Sequence, residues 1–393
     1  MNILVIPTND WTRAAGAGHI NSIAQELAER GHNVYAWNFD LCRNQPAKRE
    51  TGKVKLIKPK TLPLRDPAVF FALNAFFQAP AVFKAIKDLK IDVVINENIL
   101  SGLVAFLVAG NGALKVFDFS DYFPESASVY YTGSSQIAKK LVEAVTLAVT
   151  KLNVKASNTC LAVCQSLIKT AQVLDENKPC YLVTNGVNTC NSTLATQNTS
   201  EKTAAPSMVV MGVIDEWLDL ETPLHALKTL IKRHPNLKLI VIGPWQKNQF
   251  RQRFEENAKN LNLTSQVEVT GYISSQKLKS YLEAATCCIM PYQLDRFYSL
   301  IRLPEKLFVY SAYGKTILST RLPEVHALHD SHILFYNNAE ELASKAELVL
   351  SNGALRESLA RNACSFAGEH DFKVLAQNLE QILTEQLRKL RAT

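Results

Sequence analysis

Much that would classify this chain at a glance is missing from it. Its eight cysteines (Cys42, Cys160, Cys164, Cys180, Cys190, Cys287, Cys288, Cys364) form no C-x-x-C pair and no zinc-ligand spacing, so neither a dithiol redox motif nor a structural zinc module is legible. Most lie in apolar patterns, as in ATCCIMPY, and read as buried, inert thiols. No uninterrupted apolar run reaches the roughly 18–20 residues that cross a bilayer. The longest candidate, Ala68 to Ile86, is interrupted by Asn74, Gln78, Pro80 and Lys84. The opening MNILVIPTND has no basic leader and its apolar run stops at Pro7, so it reads as a first β-strand and not as a signal peptide. The expected localisation is cytoplasmic. No G-x-G-x-x-G separates a strand from a helix, with an acid about 20 residues on, which argues against a nicotinamide enzyme.

What is present is a soluble, well-cored composition. Hydrophobic residues make up 47% and charged residues 20% of 393 positions, enough for two or three domains and too apolar for extensive disorder. The formal charge of +7 is unevenly spread. Arg43, Lys48, Arg49, Lys53, Lys55, Lys58, Lys60 and Arg65 are opposed by Glu50 alone. The alternation in VKLIKPK fits a strand with a solvated basic face. It equally fits an electrostatic footprint for anionic lipid or phosphate, residues 43–65 then meeting a membrane surface. PAVFFALNAFFQAPAVFKAI follows, with aromatic clusters at helical spacing, as in a core helix or one lying in a membrane interface. Nucleic acid is not expected, because these Phe residues sit in apolar company rather than interleaved with Lys and Arg.

Strand and helix patterns alternate along both halves. NILVIP, HNVYAWNF, IDVVINE, LKVFDFS, TCLAVCQ and CYLVTNG read as strands separated by helices, including INSIAQELAERG and KKLVEAVTLAVTKLN. After STLATQNTSEKTAAPS, small and polar without periodicity, the pattern restarts with SMVVMGVI, LKLIVIG, VEVTGYI, CCIMPY, TILST and HILFY. Such alternation implies βαβ units and parallel sheets covered on both faces. The fold class is α/β: two Rossmann-like doubly wound domains facing a cleft, residues 1–191 and 208–370, joined by a linker at 192–207. A final helical stretch, 371–393, is free to pack back on the first domain. Ligands in such sheets gather at the carboxyl ends of the strands.

Several segments, in order, resemble GT-B fold glycosyltransferases, in particular the retaining glycosyltransferase family 4, or glycosyl transferases group 1. AGAGHINSIAQELAERGHNV resembles that family's opening glycine loop and helix; CLAVCQSLIKTAQ and VTNGVNT resemble the close of its first domain. Gly212 after SMVVM, Gly243 in LIVIGP, and VEVTGYISSQKLKSYLEAATCCIMPY resemble its nucleotide-binding half. RLPEKLFVYSAYGKTILST resembles a P-x-K version of its donor-binding motif.

The resemblance implies transfer of a sugar from a nucleotide-sugar donor to a glycan or lipid-linked acceptor. The second domain would hold the donor and the first the acceptor, with no metal and no cofactor, since no D-x-D motif is present. Physical chemistry agrees: a departing diphosphate needs positive charge, and a helix N-terminus supplies N–H groups and a dipole. Arg302, Leu303, Pro304, Glu305 and Lys306 are the expected cradle, with Lys306 adding a full charge. Backbone near Gly271 and Tyr272 would meet the base. At the acceptor side, Arg13, Gly16, Gly18 and His19 form the N-terminal loop, and Asp118 and Asp121 in VFDFSDYFPE are candidates to orient or deprotonate an acceptor hydroxyl. Asp121 equally suits a cap for the next helix.

One departure stands out. The two acids that the family places eight residues apart correspond here to Ile301 and Val309, and its basic pair after Gly212 to Val213 and Leu218. Glu305 shares the helix face of Val309 and is the remaining candidate for a ribose hydroxyl. The alternative reading is therefore a catalytically silent GT-B scaffold binding a glycan or a partner enzyme.

Overall fold

The computed structural model describes residues 1–8, 10–11, 19–39, 51–64, 66–129, 136–189, 205–294, 301–328 and 331–392. Arg13, Gly16 and Gly18, the basic residues Arg43, Lys48, Arg49 and Arg65, and linker residues 192–204 lie outside the described residues. The described chain divides into two compact units, Met1–Thr184 with Phe372–Thr393, and Asn185–Asp371.

In the first unit the strands are β1 (Asn2–Ile6), β2 (Asn33–Trp37), β3 (Lys55–Ile57), β4 (Val93–Asn96), β5 (Leu114–Phe119), β6 (Thr159–Ala162) and β7 (Cys180–Leu182). They form one parallel sheet in the order β3-β2-β1-β4-β5-β6-β7. Near-continuous runs such as Ile3-Leu4-Val5-Ile6 and Val93-Val94-Ile95 are wholly buried because both faces are covered. Helix His19–Glu29 supplies Ile20, Ile23, Ala24 and Leu27 to one face, at the spacing of an amphipathic stripe, and Gly31 ends the turn at φ 94°. The last helix, Phe372–Ala392, belongs to this unit: Leu375, Leu379, Leu383 and Leu387 recur every fourth residue and join the same core.

Helices Pro67–Phe77, Ala79–Asp88, Ile99–Ala109 and Gln136–Ala156 pack among themselves as the second layer of this unit. The first two meet at a 54° bend beside Pro80, whose missing N–H interrupts the helical ladder. Buried Gln78 secures the break: it accepts from Trp37 Nε1 at 2.8 Å and donates to the Lys60 carbonyl at 3.1 Å. Lys53, Lys55, Lys58 and Lys60 are exposed along and beside β3, a solvated basic face. Among the described residues no single helix is long and apolar enough to cross a membrane.

The second unit holds β8 (Ser207–Met211), β9 (Lys238–Ile242), β10 (Val267–Gly271), β11 (Cys287–Met290), β12 (Thr316–Thr320) and β13 (Ile333–Tyr336), again all parallel, in the order β10-β9-β8-β11-β12-β13. Each sheet reverses its winding at its first strand, between β1 and β4 and between β8 and β11. Those two reversals open crevices at the carboxyl ends of the strands, where doubly wound sheets take ligands.

Candidate active site

In the second unit the reversal is floored by glycine. Gly212, Gly243 and Gly271 end β8, β9 and β10, with φ of 122°, 132° and 66°. The Gly212 amide donates to the Ile242 carbonyl at 2.9 Å, and the Gly243 amide to the Gly271 carbonyl at 3.0 Å. A Cβ on Gly243 would lie 1.8 Å from the Gly212 oxygen, so no side chain fits there. A Cβ on Gly212 would come within 3.3 Å of Cε and Nζ of Lys306. The bare backbone thus lets the lysine reach across the strand ends.

Lys306 sits in the first turn of helix Glu305–Ala312, whose N-cap is Pro304 at φ −70°. Pro304 starts the helix without wasting a donor, and the first-turn amides have no intrahelical acceptor. The segment before it is pinned: buried Leu303 accepts at its carbonyl from Asn185 Nδ2 at 2.8 Å. Further along the helix, buried Tyr310 accepts the Met211 amide at 2.8 Å and ties helix to β8. The ammonium of Lys306 lies 5.0 Å from the centre of the Tyr292 ring. Burial lowers its pKa, an effect that the nearby Tyr292 partly offsets and Arg302 reinforces. Arg302 is stacked over two aromatic rings, 5.6 Å from Trp217 and 5.7 Å from Tyr292. Two cations with one helix N-terminus make this a place for an anion.

An acid lies within electrostatic reach of Arg302. Asp215 is buried, accepts the Glu216 amide on Oδ1, and among the described residues has no hydrogen bond on Oδ2. Burial raises its pKa, while Lys247 and Arg302 oppose the shift. Tyr292, Trp217 and Asp215 were not among the candidates read from sequence. Each lies in a loop that follows β8 or β11, the two strands at the reversal, and that position was the available signal. Of the candidates, Arg302, Leu303, Pro304, Lys306, Gly212 and Gly243 converge on this crevice. Glu305 is exposed in the first turn, and Tyr272 is exposed just beyond β10. Val309 is half-buried on the helix, Leu218 is buried and bridges Tyr292, and Val213 is exposed.

The first unit gathers charge of the other sign at its own reversal. Asp118, in β5, is wholly buried, and Oδ1 lies 3.4 Å from Nε2 of His19, the buried first residue of its helix. Glu97, which follows β4, is the third member and was also missed in the sequence, where it closes the apolar run IDVVINE. It accepts the Thr8 amide and hydroxyl on Oε2, both at 2.9 Å, and the Ser120 hydroxyl on Oε1 at 3.1 Å. Burial raises its pKa, and Asp118 adds to the rise. His19, Glu97 and Asp118 each bring a ligand atom within 4.8 Å of the other two, a set that could hold a metal. Asp121 is half-buried, and its Oδ1 accepts the Tyr122 amide at 2.9 Å ahead of helix Phe123–Val129.

Residues 194–366, a little under half the chain, match the family model of glycosyl transferases group 1. Among solved structures, sucrose-phosphate synthase from Thermosynechococcus elongatus is similar over 99% of this chain and 100% of its own, with a TM-score of 0.75 at 16% identity. HepE from Anabaena, in complex with UDP, is similar over 98% and 100%, with a TM-score of 0.67 at 13% identity. The lipopolysaccharide outer core galactosyltransferase WaaB is similar over 98% and 100%, with a TM-score of 0.64 at 11% identity. Among curated proteins none matches the sequence. The fold shared with these structures is GT-B.

Proposed function

From the premise that this is a GT-B chain carrying a glycosyl transferases group 1 domain, and so a glycosyltransferase, we propose that it moves a sugar, with retention of anomeric configuration, from a nucleotide diphosphate donor to a lipid-linked saccharide. The observation that carries this is the pairing of Lys306 and Arg302 at the start of helix Glu305–Ala312, over a glycine floor at Gly212. Leaving-group departure puts about two negative charges on a diphosphate. Donors already in place, in a site with little water, stabilise that charge without reorganising. Protein cations at this position serve the diphosphate, so no metal is needed to hold it. HepE was solved with UDP, which makes UDP the first base to test. Asp121, half-buried and next to a strand end, is the residue to orient the acceptor hydroxyl.

The surface of the first unit supports a lipid-linked acceptor. Phe76, Phe77, Phe83, Leu107, Ile137 and Leu141 are all at least half exposed on helices packed side by side, far beyond scattered single exposures. Lys84 and Lys87 share helix Ala79–Asp88 with Phe83, and Lys139 and Lys140 flank Ile137 and Leu141. Apolar side chains among lysines suit the interface of an anionic bilayer, which supports a location at the inner face of a membrane. Liposome co-sedimentation tests this: binding to anionic vesicles should fall several-fold in Phe76→Ser/Phe83→Ser, and equal sedimentation with and without anionic lipid removes the membrane assignment. Transfer itself is tested by turnover with UDP-, GDP- and ADP-sugars, the product's anomeric coupling being read by NMR.

Val309 and Ile301 favour a second reading, a silent GT-B scaffold, because neither can accept a hydrogen bond from a ribose. Uniform failure of every nucleotide sugar to bind would select it.

A further inference from the structure

Three ionisable side chains meet in the interior of the first unit. His19, Glu97 and Asp118 bring two carboxyl groups and one imidazole together, all three buried. Glu97 accepts three hydrogen bonds from Thr8 and Ser120, which fix the direction of both its oxygens. Asp118, with no exposed surface, receives no hydrogen bond on either oxygen among the described residues, and its neighbours in the set are the His19 ring and the Glu97 carboxyl. A buried, unsatisfied carboxylate is costly, and such groups are met by a paired charge or a metal.

We propose that His19, Asp118 and Glu97 bind one divalent transition-metal ion, zinc or manganese, in the first unit. A cation with bonds of ~2.1 Å sets adjacent ligands about 3–3.5 Å apart, and His19 Nε2 stands 3.4 Å from Asp118 Oδ1. The Glu97 oxygen, within 4.8 Å of both, completes the set by a side-chain rotation. Each carboxylate oxygen has lone pairs beyond those used by Thr8 and Ser120, so these two residues become the outer support that orients a ligand. An imidazole with two carboxylates suits zinc or manganese better than magnesium or calcium, which take oxygen ligands. Three protein ligands leave positions for water or a substrate hydroxyl. The three residues come from the helix after β1, the end of β4 and the end of β5, straddling the reversal of this sheet. The site is separate from the cradle at Lys306, so it stands or falls independently of the donor reading.

The test starts with the full chain stripped by chelator and titrated calorimetrically with zinc and with manganese. One ion per chain is expected, with at least a tenfold loss of affinity in Asp118→Asn and in Glu97→Gln. Binding that is unchanged in both variants, or no binding of either ion, overturns the proposal. Should the variants unfold, X-ray absorption of the zinc-loaded unaltered chain decides. A shell of one imidazole nitrogen with carboxylate oxygens supports the site, and a sulfur shell, placing the ion on cysteines, overturns it.

Discussion

The two units share one winding and differ in the charge at its turning point. Both sheets run outward from their first strand and reverse there, and both put loops, helix starts and strand ends at the same topological place. In the second unit that place holds Lys306 and Arg302 around glycine backbone; in the first it holds Glu97, Asp118 and His19. Topology therefore chooses where chemistry sits, and the residues at strand ends choose its sign. A diphosphate fits the second and a cation or a hydroxyl fits the first.

The largest effect that can break this contrast is removal of the second unit's charge. Lys306→Ala should lower kcat by about 100-fold or more, as loss of one preorganised charge-stabilising donor does, with no fall in Tm. A loss below tenfold would mean that the lysine does not face the transition state. Gly243→Ala comes next and acts on the frame. Its Cβ meets the Gly212 oxygen at 1.8 Å, at a φ that L residues avoid, so a fall in Tm of about 5–10 °C is expected by calorimetry.

The pH dependence sharpens the comparison further. Burial holds the Lys306 pKa below the ordinary lysine value of 10.5. Between the folded pKa and 10.5 the unfolded chain binds more protons at this group, so its contribution to stability rises with pH across that window. Activity moves oppositely, because the ammonium is lost: kcat/KM should fall on the alkaline side before pH 10.5, and Lys306→Arg should push that fall to higher pH. A flat profile to pH 10.5 would contradict the assignment. The smallest expected effect is on the acceptor side. Asp121→Asn should reduce transfer about 10- to 100-fold while leaving nucleotide binding within twofold, and weakened nucleotide binding would place Asp121 at the donor instead.

The frame was legible because parallel strands buried on both faces read as apolar runs, NILVI, SMVVM and LIVIG among them, and because Gly and Pro punctuate the helices between. The final helix was legible for the same reason, as Leu375, Leu379, Leu383 and Leu387 share one face. The cradle was half legible. Lys306, Arg302 and the three strand-end glycines carry local signals, a cation beside a proline-led helix and glycine after an apolar run. Tyr292, Trp217 and Asp215 carry only their place after a strand, since the β8–β11 adjacency is what brings residues about 75 apart in sequence onto the same cation. Glu97 was hidden likewise: alone it is an acid ending a strand, and its meaning comes from Thr8, His19 and Asp118 on neighbouring elements.

Calorimetric titration of the full chain and of Lys306→Ala with UDP, GDP and ADP probes the diphosphate cradle most directly. One of the three should bind at a ratio of one per chain, with affinity at least tenfold weaker in Lys306→Ala. Failure of all three to bind, or equal affinity in the two proteins, would contradict a donor site at the helix beginning with Glu305.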